Sequence, residues 1–190
     1  AGSRTGTETA LYARWKTTAT YDANGGSGTF GTSTIRSATS SPYNGTLALP
    51  AAPTAPAGKT FAGWKNTSTS SFVTGTTTGA ADTYGASAVV TIKGGPVSFQ
   101  AQWSSVTFDV RWKKNDNTTD LRVDRNVAYG TTAGSLSGGI PAPETKVGHT
   151  FKGWNTNTTA SDHSNLVSSS TKLTSATTFY PKWTVNSYAI

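Results

Sequence analysis

The chain contains a second copy of itself. Residues 50 to 66 read PAAPTAPAGKTFAGWKN and residues 141 to 157 read PAPETKVGHTFKGWNTN. Gly58, Phe61, Gly63 and Trp64 recur as Gly148, Phe151, Gly153 and Trp154, each time 90 positions later. A second motif closes each unit: Leu11-Tyr12-Ala13-Arg14-Trp15, then Phe99-Gln100-Ala101-Gln102-Trp103, then Phe179-Tyr180-Pro181-Lys182-Trp183, with the tryptophans 88 and 80 residues apart. Self-similarity at a fixed period is the mark of repeated structural units, so the 190 residues are expected to divide into small domains rather than to share one core.

Three closing motifs for two complete bodies offset the frame. Residues 1 to 15 are therefore expected to be the tail strand of a preceding repeat or a leader, 16 to 103 the first repeat, 104 to 183 the second, and 184 to 190 the start of a following repeat. The absence of Met, even at position 1, reads as a segment excised from a longer array. The first repeat is the longer, and the low-complexity stretch from Thr76 to Ala88 reads as its insertion.

Within a unit the hydrophobic period is two. Val106, Phe108, Val110 and Trp112 alternate with Thr107, Asp109, Arg111 and Lys113, the pattern of a strand buried on one face. The corresponding strand of the first repeat, Thr18 to Ala23, runs into Asn24-Gly25-Gly26, a hairpin signal because its residues accept positive φ. Returning strands are expected near Thr29 to Ser37 and Asp120 to Val127, followed by a proline-rich crossover that could hold a short helix. Phe and Trp three positions apart would face opposite sides of a regular strand, so Gly63 and Gly153 are expected to mark a bulge that returns Trp64 and Trp154 to the core. In the closing strand Pro181 cannot donate to a ladder, which predicts an exposed side there.

Residues that carry chemistry are sparse. There is no Cys, so disulfides and thiolate sites are excluded, and neither His149 nor His163 has a metal-ligand spacing. No Gly-x-Ser-x-Gly elbow or phosphate loop occurs. The acidic group Asp116, Asp120 and Asp124 fails as a calcium loop, since Asp120 stands where glycine is required and Asn126 where glutamate is. An intramolecular Lys–Asn isopeptide bond needs an acid beside both partners, and no such arrangement stands out along the chain. The net charge of +7 gathers most densely at Arg111, Lys113, Lys114, Arg122 and Arg125, but an alternating strand sends neighbours to opposite faces, which argues against a nucleic-acid groove. No run of about 18 apolar residues is present. The reading is no enzyme, no cofactor and no metal.

A unit that opens with an aromatic-alternating strand, passes through Pro-x-x-Pro to Gly-x-Thr-Phe-x-Gly-Trp and closes with an aromatic-x-x-x-Trp strand resembles the Listeria–Bacteroides repeat, the internalin-type B repeat. The residues that carry the resemblance are Gly58, Phe61, Gly63, Trp64 and Trp103 in one repeat and Gly148, Phe151, Gly153, Trp154 and Trp183 in the other. The resemblance implies a β-rich α+β fold: two tandem β-grasp-like (ubiquitin-like) domains of a monomeric segment on a bacterial surface protein, wall-anchored or secreted. It carries over no catalytic or ligand residues.

The function expected is a non-catalytic stalk or spacer of a cell-surface adhesin, with host glycans, mucin or extracellular matrix and the neighbouring repeats as partners, and without membrane insertion. The alternatives are a carbohydrate- or mucin-binding module, whose candidate aromatics outside the repeated motif are Tyr43, Tyr84 and Tyr129, and accessory repeats of a secreted glycosidase.

Overall fold

The computed structural model describes residues 15–37, 44–69, 71–159 and 161–187; the first closing motif before Trp15 and the residues after 187 lie outside the described residues. The chain divides into two compact units, Ala1–Ser104 and Ser105–Ile190.

The second unit is the simpler. β9 (Thr107–Lys113) and β10 (Asp120–Ala128) form an antiparallel hairpin. The chain then crosses through a 3-10 turn, Ala133–Ser135, to β11 (His149–Asn155) and returns along β12 (Thr177–Val185). The sheet order is β10-β9-β12-β11, with the opening and closing strands parallel and Phe179 beside Trp112. The first unit repeats this frame with β1 (Lys16–Asp22), β2 (Ser33–Arg36), β4 (Lys59–Asn66) and β8 (Val97–Ser105); β1 and β8 are parallel, with Tyr21 beside Phe99. Its sheet order is β2-β1-β8-β4-β6, the last being β6 (Thr83–Tyr84). A further sheet of β3 (Gly45–Ala48), β7 (Val89–Gly94) and β5 (Ser71–Thr74) belongs to this unit and has no counterpart in the second among the described residues.

The α+β β-grasp expectation is overturned: the described residues are β-strand and loop, without an α-helix. The crossovers explain why. The second contains Gly130, Gly134, Gly138, Gly139, Pro141 and Pro143, and the first Pro50, Pro53 and Pro56. Each interior glycine costs a helix about 1 kcal/mol and each proline about 3 kcal/mol relative to alanine, too much for a segment of this length. The expected insertion also does structural work, because Thr83 and Tyr84 pair with Lys65 and Trp64 to extend the main sheet.

The glycine of Gly-Trp sits at a register break. Phe151 opposes Trp183 and Gly153 opposes Lys182, so two steps along β11 meet one along β12. Gly153 has φ 144° and Gly63 φ 142°, a conformation open almost only to glycine. The turn brings Trp154 edge-on to Phe151 at 5.6 Å and Trp64 edge-on to Phe61 at 5.6 Å, and both tryptophans are buried. Each indole N–H then donates to a crossover proline carbonyl, Trp64 to Pro50 at 3.1 Å and Trp154 to Pro141 at 2.9 Å. Here the proline-rich crossover has a purpose: it is pinned to the core by the repeat's own tryptophan.

The closing strand differs from expectation. Pro181 is buried, opposite Trp154 in the middle of the sheet. The parallel ladder to β9 covers only Thr177, Thr178 and Phe179, so on that side Pro181 interrupts no ladder bond.

Candidate functional site

The three aromatics proposed for ligand contact fare differently. Tyr43 lies outside the described residues. Tyr84 is not exposed: its ring packs edge-on against Phe99 at 6.4 Å and its hydroxyl donates to the Val73 carbonyl at 2.9 Å. Burial, and secondarily the charge of Asp82, pushes its hydroxyl pKa up. The insertion therefore supplies a core residue rather than a contact. Tyr129 is 40% exposed at the end of β10. A hollow of about 450 Å³ is lined by β10 from Val123 to Ala128 and by Thr131, Ser135, Leu136 and Ser137, and Tyr129 is not among its lining residues.

The basic run is held by carboxylates of its own sheet. Asp120 accepts from Arg111 at 2.6 Å and from Lys113 at 2.6 Å, and Arg125 bonds Asp109 at 3.2 Å. On the core side Asp124 accepts the Trp112 indole N–H at 2.8 Å and the Arg122 guanidinium at 2.9 Å, while Arg122 also donates to the Gly139 carbonyl at 2.6 Å. Arg122 lies over the Trp112 ring at 5.6 Å. This network joins the hairpin to the crossover and leaves little unpaired positive charge on the strand for an anionic partner.

The closing tryptophans diverge between units. Trp103 donates its indole N–H to the Asn24 carbonyl at 2.8 Å, and Gly26 is flush with its ring, since a Cβ there would meet the indole at 2.5 Å. Asn24 and Gly25 both take positive φ, and Gly26 N–H closes the turn on the Ala23 carbonyl at 3.0 Å, which is the type I′ geometry that Asn-Gly favours. The second unit has Asn115-Asp116-Asn117 instead, and the buried Trp183 indole N–H has no hydrogen-bond partner among the described residues.

The most unusual chemistry lies on the other face of β12, at a residue that sequence reasoning passed over. Lys182 alternates with Pro181 and Trp183, so it points away from the aromatic core, yet it is 0% exposed. The chain after β11 folds over it. Its ammonium donates to the backbone carbonyls of Asn157 and Thr159, the latter at 3.0 Å, and lies 5.9 Å from the Tyr180 ring. Asp162 accepts from the Asn157 side-chain amide at 2.7 Å and from Ser164 N–H at 2.9 Å. Burial pulls the Lys182 pKa down, partly offset by the charge of Asp162. The first repeat has Gln102 at the same place in its closing motif. Residues 157, 162 and 182 follow no local spacing rule, and only the covering loop brings them together.

Hydrogen bonding from Ser164 to Asp162, from Thr119 to Asp116 and from Lys113 to Asp120 holds these three carboxyls below the usual range. In the first unit Asp22, bonded by Gln100, behaves similarly. A carboxyl depressed in the folded state stabilises it above the unfolded pKa near 4, and that contribution is lost as pH falls through the folded value. Acidification from about pH 4 to 2 is therefore expected to lower the melting temperature of the second unit more than that of the first. Calorimetry across that range checks this, and a parallel decline of both transitions would contradict it.

The family model for the Listeria-Bacteroides repeat domain matches the chain twice, over residues 18–87 and 105–182. No curated protein and no solved structure shows a significant match. The second match spans all but the end of the four-stranded sheet of the second unit, and the first runs from the opening strand of the first unit to residue 87, short of its closing strand β8.

Proposed function

The chain belongs to the Listeria-Bacteroides repeat family, typical of bacterial surface or extracellular proteins, and from that premise we propose that it serves as a non-catalytic stalk segment of a surface adhesin. The observation that carries this reading is where the repeated residues go. Phe61, Trp64 and Trp103 pack edge-on in one core, and Phe151, Trp154 and Trp183 do so in the other. The side chains that define the two complete repeats go into building their two cores. A second support is the covalent link: β8 ends at Ser105 and β9 begins at Thr107, so only Val106 joins the closing strand of one repeat to the opening strand of the next. A one-residue linker limits free swinging, which suits a spacer.

The competing reading, a carbohydrate- or mucin-binding module, now centres on the exposed Tyr129, since Tyr84 is in the core. Titrating the chain with a panel of glycans, mucins and matrix proteins at physiological salt separates the two. A stalk gives no saturable binding beyond what salt abolishes. Saturable, salt-resistant binding that Tyr129→Ala reduces at least tenfold would replace the stalk reading with recognition, because exposed aromatic anchors dominate such contacts.

A further inference from the structure

The buried lysine of the second repeat donates to the backbone carbonyl of Asn157, a residue whose side-chain carboxamide is held at both ends. Asn157 accepts the Thr159 N–H on its side-chain oxygen at 2.9 Å, donates from its side-chain nitrogen to Asp162 at 2.7 Å, and accepts the Lys182 ammonium on its own backbone oxygen. A donor on the amide oxygen polarises the carbonyl toward attack, and a carboxylate on the amide nitrogen sits where a leaving group would need a proton. Lysine is the nucleophile of choice once desolvation favours its neutral form.

We propose that Lys182 and Asn157 join in an intramolecular isopeptide bond, with Asp162 as the proton carrier. The ammonium of Lys182 gives a proton to the Asp162 carboxylate. The freed lone pair on Nζ forms a bond to Cγ of Asn157, and the second proton of the attacking nitrogen is lost as the amide forms. The electron pair of the Cγ–Nδ2 bond leaves with the nitrogen, which takes up protons relayed by Asp162 and departs as ammonium. No oxidant or other co-reactant is consumed. The product replaces a buried charge, costly to hold in the interior, with a neutral amide. In a chain without cysteine it supplies a covalent tie between the closing strand and the loop that covers it. No local spacing along the chain announces this arrangement, and Gln102 in the first repeat restricts it to one of the two.

Intact-mass spectrometry of the whole chain after prolonged incubation tests the bond. Loss of ammonia lowers the mass by about 17 Da. The expected result is that shortfall in the unaltered chain, a branched peptide joining the Lys182 and Asn157 segments after digestion, and the full sequence mass in both Lys182→Arg and Asn157→Ala. Asn157 is exposed, so its replacement leaves the core untouched even if the Lys182 variant folds poorly. The full sequence mass in the aged unaltered chain would overturn the proposal. So would a shortfall that persists in Lys182→Arg, which would identify a cyclic imide at Asn157 alone.

Discussion

Replacing Trp154 with alanine is expected to unfold the second unit at a temperature where the first is still folded. The indole is 1% exposed and lies edge-on to Trp112 at 5.2 Å and to Phe151 at 5.6 Å. Its N–H holds the crossover at Pro141. Truncation removes one of the largest buried side chains of that unit, leaves a cavity between two rings and orphans a carbonyl. Buried Trp→Ala changes cost about 3–5 kcal/mol. A domain of about 85 residues has roughly 4–13 kcal/mol in total, so the loss takes a large share of it. At about 4–8 °C per kcal/mol for a domain of this size, the second unit's melting temperature should fall by at least about 12 °C. The first unit keeps its own core around Trp64, Tyr21, Phe30 and Phe61, so its transition should hold its place. Differential scanning calorimetry resolving one shifted and one unshifted transition confirms this. A single transition moving as a whole would mean that the two units unfold as one cooperative body.

How much of this was legible before the structure depends on which residues spoke locally. The opening strands were readable because Val110 and Trp112 alternate with polar neighbours, and a period of two admits one element. The repeat motif was readable because identical residues recur at one offset. The helix expected from the family was not, since the crossovers' glycines and prolines outweigh what the resemblance implied. Tyr84 is hard to place from sequence because its surroundings are low in complexity: Thr76 to Ala88 has the composition of an exposed loop, yet one aromatic there finds a place against Phe99. Pro181 is hard to place for another reason: a proline's effect depends on where a neighbouring ladder stops, which only the register shows. Lys182 was illegible for a deeper reason. A lysine between a proline and a tryptophan in an alternating strand reads as solvent-facing, and only a loop from another part of the chain makes that face an interior.

The two Gly-Trp glycines carry the same sequence signature but should not tolerate alanine equally. Both stand in the backbone region that costs a non-glycine residue about 1–3 kcal/mol, so Gly63→Ala and Gly153→Ala share that loss. What lies beyond the added methyl differs. At Gly63 a Cβ would come within 2.6 Å of the Thr83 methyl and 2.9 Å of the Tyr84 carbonyl oxygen, both on the strand that the insertion adds. A backbone oxygen in a ladder cannot step aside without breaking the pairing of Trp64 with Tyr84. At Gly153 the nearest atoms are the terminal methyls of Leu166, at 3.2 and 3.3 Å, and a leucine tip in a loop can rotate away. Overpacking against a rigid neighbour adds about 1–3 kcal/mol, whereas a yielding one adds little. Gly63→Ala should therefore destabilise its unit by about 2–6 kcal/mol and Gly153→Ala by about 1–3 kcal/mol. Urea titrations of each variant, followed by tryptophan fluorescence, measure both. Equal losses would mean that the cost lies in the backbone turn alone, and that the inserted strand yields as readily as Leu166.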